Sequence, residues 1–196
     1  MTFIKQVTTG LAALIFSVAA LAATVDVGGV ALEDTLTLQG TKLVLNGSGV
    51  RYKAIFKVYA AGLYLDKKVA TPEEFFAATG PKRLSITLLR DIDSNELGKS
   101  FTRGFEDNSP KSEMSKLIPG LLQMGKIFAD QKKLISRESF TIDWIPGTGT
   151  VISVKGKAQG EPFKEPAFYA ALMRIWLGSA PADFRLKEAL LGKPIQ

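Results

Sequence analysis

The side chains that could do chemistry in this chain are few, and the two most versatile are missing: the 196 residues contain no His and no Cys. Ser-His triads, cysteine nucleophiles, thiol redox chemistry and the usual zinc ligand sets are therefore out of reach. Two carboxylate pairs remain, Glu73-Glu74 and Asp91 with Asp93. The first falls in the opening turn of a predicted helix and the second at the end of a predicted strand. Capping and solvation account for both without acid–base catalysis. Gly47-Ser48-Gly49 is followed neither by a helix start nor by Lys-Ser/Thr at the spacing of a phosphate loop, and reads as a turn. What is left is a set of cations, among which Arg51 opens a long β-prone run.

That run, Val50 to Leu65, is predicted as one strand following a turn at Asn46-Gly47-Ser48-Gly49. Its even positions Tyr52, Ala54, Phe56, Val58 and Ala60 are apolar throughout, as one buried sheet face should be. The odd positions change from Arg51, Lys53 and Lys57 to Tyr59, Ala61, Leu63 and Leu65, so this face passes from solvent into a covered region. Arg51 and Tyr59 share that parity and can point into one cleft if no bulge intervenes. A plainer reading of Arg51, an exposed residue beside a turn making a surface pair, stays open.

The remaining elements follow from capping and periodicity. Leu36 to Leu45 is a strand. Thr71-Pro72-Glu73-Glu74 starts a short helix that ends at Gly80, and Lys82 to Ile92 is a further strand. Ser94 with Glu96-Leu97 opens the next helix, whose Leu97, Phe101 and Phe105 form one apolar stripe. Ser109-Pro110 starts another toward Phe128, bent or interrupted at Pro119-Gly120. Ser139 to Ile145 and Thr150 to Lys157 form a hairpin about Pro146-Gly147-Thr148-Gly149. Helices over Pro166 to Leu177 and from Pro181 to Leu191 close the chain. Two β-rich blocks around a helical middle predict an α+β domain, a sheet with helices on one face.

The N-terminus predicts export. Met1 to Gln6 carry one Lys and no acid, Leu11 to Ala22 are almost wholly apolar, and Ala20-Leu21-Ala22 is an A-x-A cleavage pattern. The expected signal peptide is residues 1–22, leaving a single domain over 23–196 in the periplasm, with no membrane span after cleavage. Without Cys there is neither a lipid anchor nor a disulfide. Loss of Lys5 lowers the formal charge from +6 to +5. Those cations are scattered in pairs such as Lys67-Lys68 and Lys82-Arg83 and read mostly as a solvated face. Export argues against nucleic acid as a partner, while an anionic lipid surface, touched transiently, or a carboxylate ligand remains open.

Four ordered blocks carry a resemblance: Gly49-Val50-Arg51; Phe56 through Leu65, reading FKVYAAGLYL; Pro81-Lys82-Arg83-Leu84 with Leu89-Arg90-Asp91; and Ile175-Trp176-Leu177-Gly178. Together they resemble the bacterial chalcone-isomerase-like family. The resemblance implies an open-faced β-sandwich, a large antiparallel sheet covered on one face by helices, with a cleft between the layers. In the plant isomerases that cleft cyclises a chalcone, and an Arg near the start of the long strand holds the phenolate; Arg51 looks like that residue. A guanidinium stays charged and offers a planar fork of donors, equally suited to a phenolate or a carboxylate.

By the same resemblance Tyr59 stands where the isomerases have Thr, Phe101 where they have the catalytic Tyr, Asn108 matches their Asn, and Ile175 replaces a Thr or Ser. The catalytic hydroxyl is then missing, and the cleft is greasier with one cation. The related non-catalytic plant members bind fatty acids, and Arg51 with Tyr59 would hold the carboxylate. Two functions are therefore expected as alternatives: a binding protein for a fatty acid or similar apolar carboxylate or phenolic ligand, without a cofactor, or an intramolecular lyase of chalcone-isomerase type using Arg51. A collapsed cleft with a purely structural role is a third. For Phe101 and Trp176, plain core packing is the favoured reading.

Overall fold

The protein is described by a computed structural model over residues 23–131 and 133–194. The predicted leader, residues 1–22, lies outside the described residues. In chain order the strands β1 (Thr24–Val27), β2 (Val30–Glu33), β3 (Thr35–Leu38), β4 (Thr41–Lys53) and β5 (Phe56–Leu65) precede the first helix, α1 (Pro72–Ala77). Next come β6 (Lys82–Leu88), β7 (Ile92–Asp93), α2 (Ser94–Asn108), α3 (Lys111–Ala129) and β8 (Lys133–Leu134). The chain closes with β9 (Ser139–Ile145), β10 (Gly149–Val154), β11 (Lys157–Ala158), α4 (Pro166–Leu177) and α5 (Phe184–Leu190).

Seven strands form an antiparallel sheet in the order β11-β10-β9-β6-β5-β4-β3. The helical hairpin α2–α3 carries the chain from β6 back to β9, which pairs beside β6. Alternation then sorts the faces. Ala61, Ile86 and Phe140 are in register across β5, β6 and β9, as are Leu63, Leu84 and Ile142, and these rows share one core with Phe105 of α2 and Leu172 of α4. The reverse face is partly covered by the β1–β2 hairpin, which sequence reading missed. Val27 and Leu32 pack there on Ala60, and Gly62 leaves room for the Leu32 side chain, whose Cδ1 would stand 2.9 Å from a Cβ at that position.

The predicted 50–65 strand is two strands. The chain reverses at Ala54-Ile55, with Lys53 paired to Phe56, and Ala54 adopts a positive φ of 54°. The turn expected at 46–49 is absorbed into β4 as a bulge between Leu45 and Gly47. Gly47 serves packing instead: a Cβ there would meet the Ala189 carbonyl of α5. Tyr52, Ala54 and Phe56, predicted on a buried face, are exposed because this end of the hairpin is uncovered, and only Val58 and Ala60 of that set are buried.

Helix signals held more closely. Thr71 caps α1 through Oγ1, which accepts from the Glu74 amide at 3.2 Å, although the helix ends at Ala77, short of Gly80. Asp93, rather than Ser94, caps α2, and the stripe Leu97, Phe101 and Phe105 is buried as expected. The predicted 82–92 strand stops at Leu88, and Ile92-Asp93 pairs separately with β8. α3 runs through Pro119 without interruption. The adjoining Gly120 admits the ring of Phe168, which a Cβ would strike at 2.3 Å. Among the described residues no helix is long and apolar enough to cross a membrane.

Candidate ligand cleft

Arg51 comes from β4, Tyr59 from β5, Leu97 and Phe101 from α2, and Ile175 and Trp176 from α4; together they line one cleft between sheet and helices. Antiparallel pairing brings the first two together, since Arg51 and Tyr59 are direct partners on the helix-facing side. The Arg51 guanidinium lies over the Tyr59 ring, 5.5 Å from its centre, a cation–π contact. Its Nε is buried and makes no hydrogen bond. None of the ion pairs among the described residues includes Arg51.

Tyr59 is buried, and its hydroxyl accepts a 2.8 Å hydrogen bond from Trp176 Nε1. Burial pushes the phenol pKa up, with the Arg51 charge and the Trp176 bond pulling the other way, so the hydroxyl stays neutral. Having accepted from Trp176, it keeps its own proton to donate to an anion. Asp183 adds negative potential nearby. Its oxygens are engaged, Oδ2 accepting from the Tyr52 amide at 2.9 Å and Oδ1 from the Arg185 and Leu186 amides as the cap of α5.

The wall opposite the cation is hydrocarbon. Phe101 stacks on Phe128 at 5.2 Å and meets Phe140 and Trp176 edge-on. Ile175 presses against α2 where Gly104 has no side chain; a Cβ there would stand 2.9 Å from Ile175 Cγ1. Ser100 brings a hydroxyl to the exposed rim, but that hydroxyl donates back to the Glu96 carbonyl at 2.8 Å. The cavity between these groups is about 30 Å³, room for a water or two.

Of the residues singled out from the sequence, Arg51, Tyr59, Phe101 and Ile175 converge and Asn108 does not line the cleft. The Asn108 amide ties α2 to the loop after α4, donating to the Ala180 carbonyl at 2.8 Å and accepting from the Ala180 amide at 3.0 Å. Sequence reasoning placed Trp176 in the core without assigning it the Tyr59 bond, and it overlooked Leu97 as cleft wall. The α2 stripe held Leu97, whereas nothing in the sequence linked Trp176 to a residue 117 positions away.

A family model described as chalcone isomerase-like matches residues 24–192. No curated protein matches the chain. Among solved structures, the crystal structure of an Arabidopsis thaliana fatty-acid binding protein is similar with a TM-score of 0.64, covering 86% of this chain and 96% of that one at 15% identity, a likeness of fold.

Proposed function

Because the chain belongs to the chalcone isomerase-like family, we propose that it uses the Arg51 cleft to bind an apolar molecule with one anionic end, of the fatty-acid class. The observation that carries this reading is the guanidinium of Arg51, which has a buried, unbonded Nε, lies over the Tyr59 ring, and shares its cleft with Leu97, Phe101, Ile175 and Trp176. A partly buried cation without a carboxylate is completed by an anion, and Arg meets a carboxylate through two parallel charge-assisted bonds. The tail gains roughly 0.8 kcal/mol for each methylene removed from water. A similar fold in a protein described as binding fatty acids supports the same class.

A cavity of about 30 Å³ is far below the roughly 300 Å³ of a small ligand pocket, so a tail enters by displacing side chains rather than by filling a void. Asn108 pins the C-terminal end of α2 to Ala180, which leaves the Leu97–Phe101 end as the part that yields. Titration with a long-chain fatty acid and with its methyl ester tests the assignment. The acid binds more tightly than the ester, and Arg51→Ala removes that preference at a loss of about 1.5–3 kcal/mol, the worth of a hydrogen bond to a charged group. Equal binding of acid and ester, unchanged in Arg51→Ala, rules out Arg51 as the anchor.

Export belongs to the same proposal and rests on residues 1–22 alone. The mature protein is expected in the cell envelope with Ala23 at its N-terminus, which intact mass reads directly. A full-length species confined to the cytoplasm overturns it.

A further inference from the structure

The β4–β5 hairpin ends in an unusual surface. Two-residue hairpin turns favour Asn-Gly or Gly-containing pairs, and here the pair is Ala54-Ile55, with Ala54 held at a positive φ of 54°. Ile55 is 84% exposed, Phe56 58% and Tyr52 43%, and Phe184 at the start of α5 is 66% exposed. The Asp183 bond to the Tyr52 amide joins the two segments. Solubility alone would not put Ile and Phe at these positions.

Cations surround this apolar point. Lys53 and Lys57 flank the turn, the Arg90 guanidinium lies 5.8 Å from the centre of the Phe56 ring, and Arg185 follows Phe184. All four are exposed, and none belongs to an ion pair among the described residues. No acidic residue occurs from Gly49 to Leu65, and the oxygens of neighbouring Asp183 are engaged in its backbone bonds. The same segments reach the cleft: Arg51 precedes Tyr52, and Ala182, two positions before Phe184, lines the cavity.

We propose that this hairpin tip, with Phe184 beside it, docks on an anionic lipid bilayer, burying Ile55 and Phe56 among the headgroups and presenting the Arg51 cleft to the membrane. Exposed apolar side chains ringed by Lys and Arg match a surface with negative headgroups over hydrocarbon, and a two-residue turn offers a point to insert rather than a plane to pair with another protein. The purpose of the docking, ligand exchange with the bilayer, rests on the fatty-acid reading above; its geometry does not.

Sedimentation with vesicles tests the proposal, comparing chains that differ only at the tip. With equimolar phosphatidylcholine and phosphatidylglycerol the wild type co-sediments, less so with phosphatidylcholine alone or at high salt. The pair Ile55→Asp with Phe56→Ser weakens association by roughly tenfold or more, and Lys53→Gln with Lys57→Gln does so for the anionic vesicles. These positions are exposed, so thermal melting is unchanged, and so is fatty-acid affinity in vesicle-free solution. Failure of the wild type to associate overturns the proposal, as does association indifferent to both pairs, which would move the contact to another apolar surface such as Ile118 and Leu122 of α3. Tip-dependent self-association in place of lipid binding also overturns it. Vesicle binding without fatty-acid binding removes the ligand reading and leaves the docking surface standing.

Discussion

Trp176 Nε1 donates to the Tyr59 hydroxyl at 2.8 Å, joining α4 to β5 inside the core, and Tyr59 in turn lies under the Arg51 guanidinium. The phenol that lines the cleft is thus also a structural acceptor. Effects at these positions should be coupled, because they share one hydrogen-bonded cluster.

Tyr59→Phe leaves the buried Trp176 N–H without its acceptor. Stability is expected to fall by about 1–3 kcal/mol, the penalty for an unsatisfied buried donor. Denaturant titration measures it. A fall of the same size in a Trp176→Phe background, where the donor is already absent, would show that the bond is not its source.

Asn108→Ala breaks the tie between α2 and Ala180 and is expected to lower stability by about 1–3 kcal/mol while leaving fatty-acid affinity in folded protein unchanged. Asn108→Asp keeps an acceptor for the Ala180 amide but loses the donor, so its effect should be intermediate or larger if the carboxylate meets the Ala180 carbonyl. A selective loss of affinity at full stability would place Asn108 in the binding site after all.

Chalcone cyclisation is expected near background. Phe101 and Ile175, at the positions of the isomerases' hydroxyl-bearing residues, carry no hydroxyl, and that of Ser100 is committed to Glu96. The remaining cleft hydroxyl, on Tyr59, is held by Trp176 and lies on the sheet rather than on α2 or α4. Loss of chalcone absorbance follows the reaction. Stereoselective turnover abolished by Arg51→Ala would replace the binding reading with a lyase.

Alkaline pH tests the reverse face of the sheet. Burial, followed by the Glu33 carboxylate, pushes the Tyr64 pKa up from 10.0 to about 12, against the pull of Arg83. Folded and unfolded chains both hold the proton below pH 10, so its contribution is fully present there. Between about 10 and 12 the unfolded chain ionises first, and that stability is lost as pH rises. The buried Lys82, with a lowered pKa, acts oppositely below 10.5, relieving a penalty as pH rises. The Tyr64 effect is therefore read as the difference between wild type and Tyr64→Phe, which should decline less steeply over this window. Parallel curves would assign the alkaline loss to other groups.

Local rules carried much of this protein. Thr71-Pro72 and the Leu97, Phe101, Phe105 stripe determined helices because capping and 3.6-residue periodicity act within a few residues. The Pro146–Gly149 turn determined a hairpin in the same way, and the absence of His and Cys alone removed whole classes of chemistry. Four ordered blocks identified the family. Where the long β-run folds back was not legible, because its turn, Ala54-Ile55, lacks turn chemistry while Asn46–Gly49 has it. The choice was made at a distance: α5 presses its backbone against Gly47 and holds it in a strand. The same reversal put Arg51 opposite Tyr59, and helix packing gave Trp176 the Tyr59 hydroxyl and Asn108 the loop at Ala180. Parity along one strand says which way a side chain points, but only tertiary packing determines what stands in front of it.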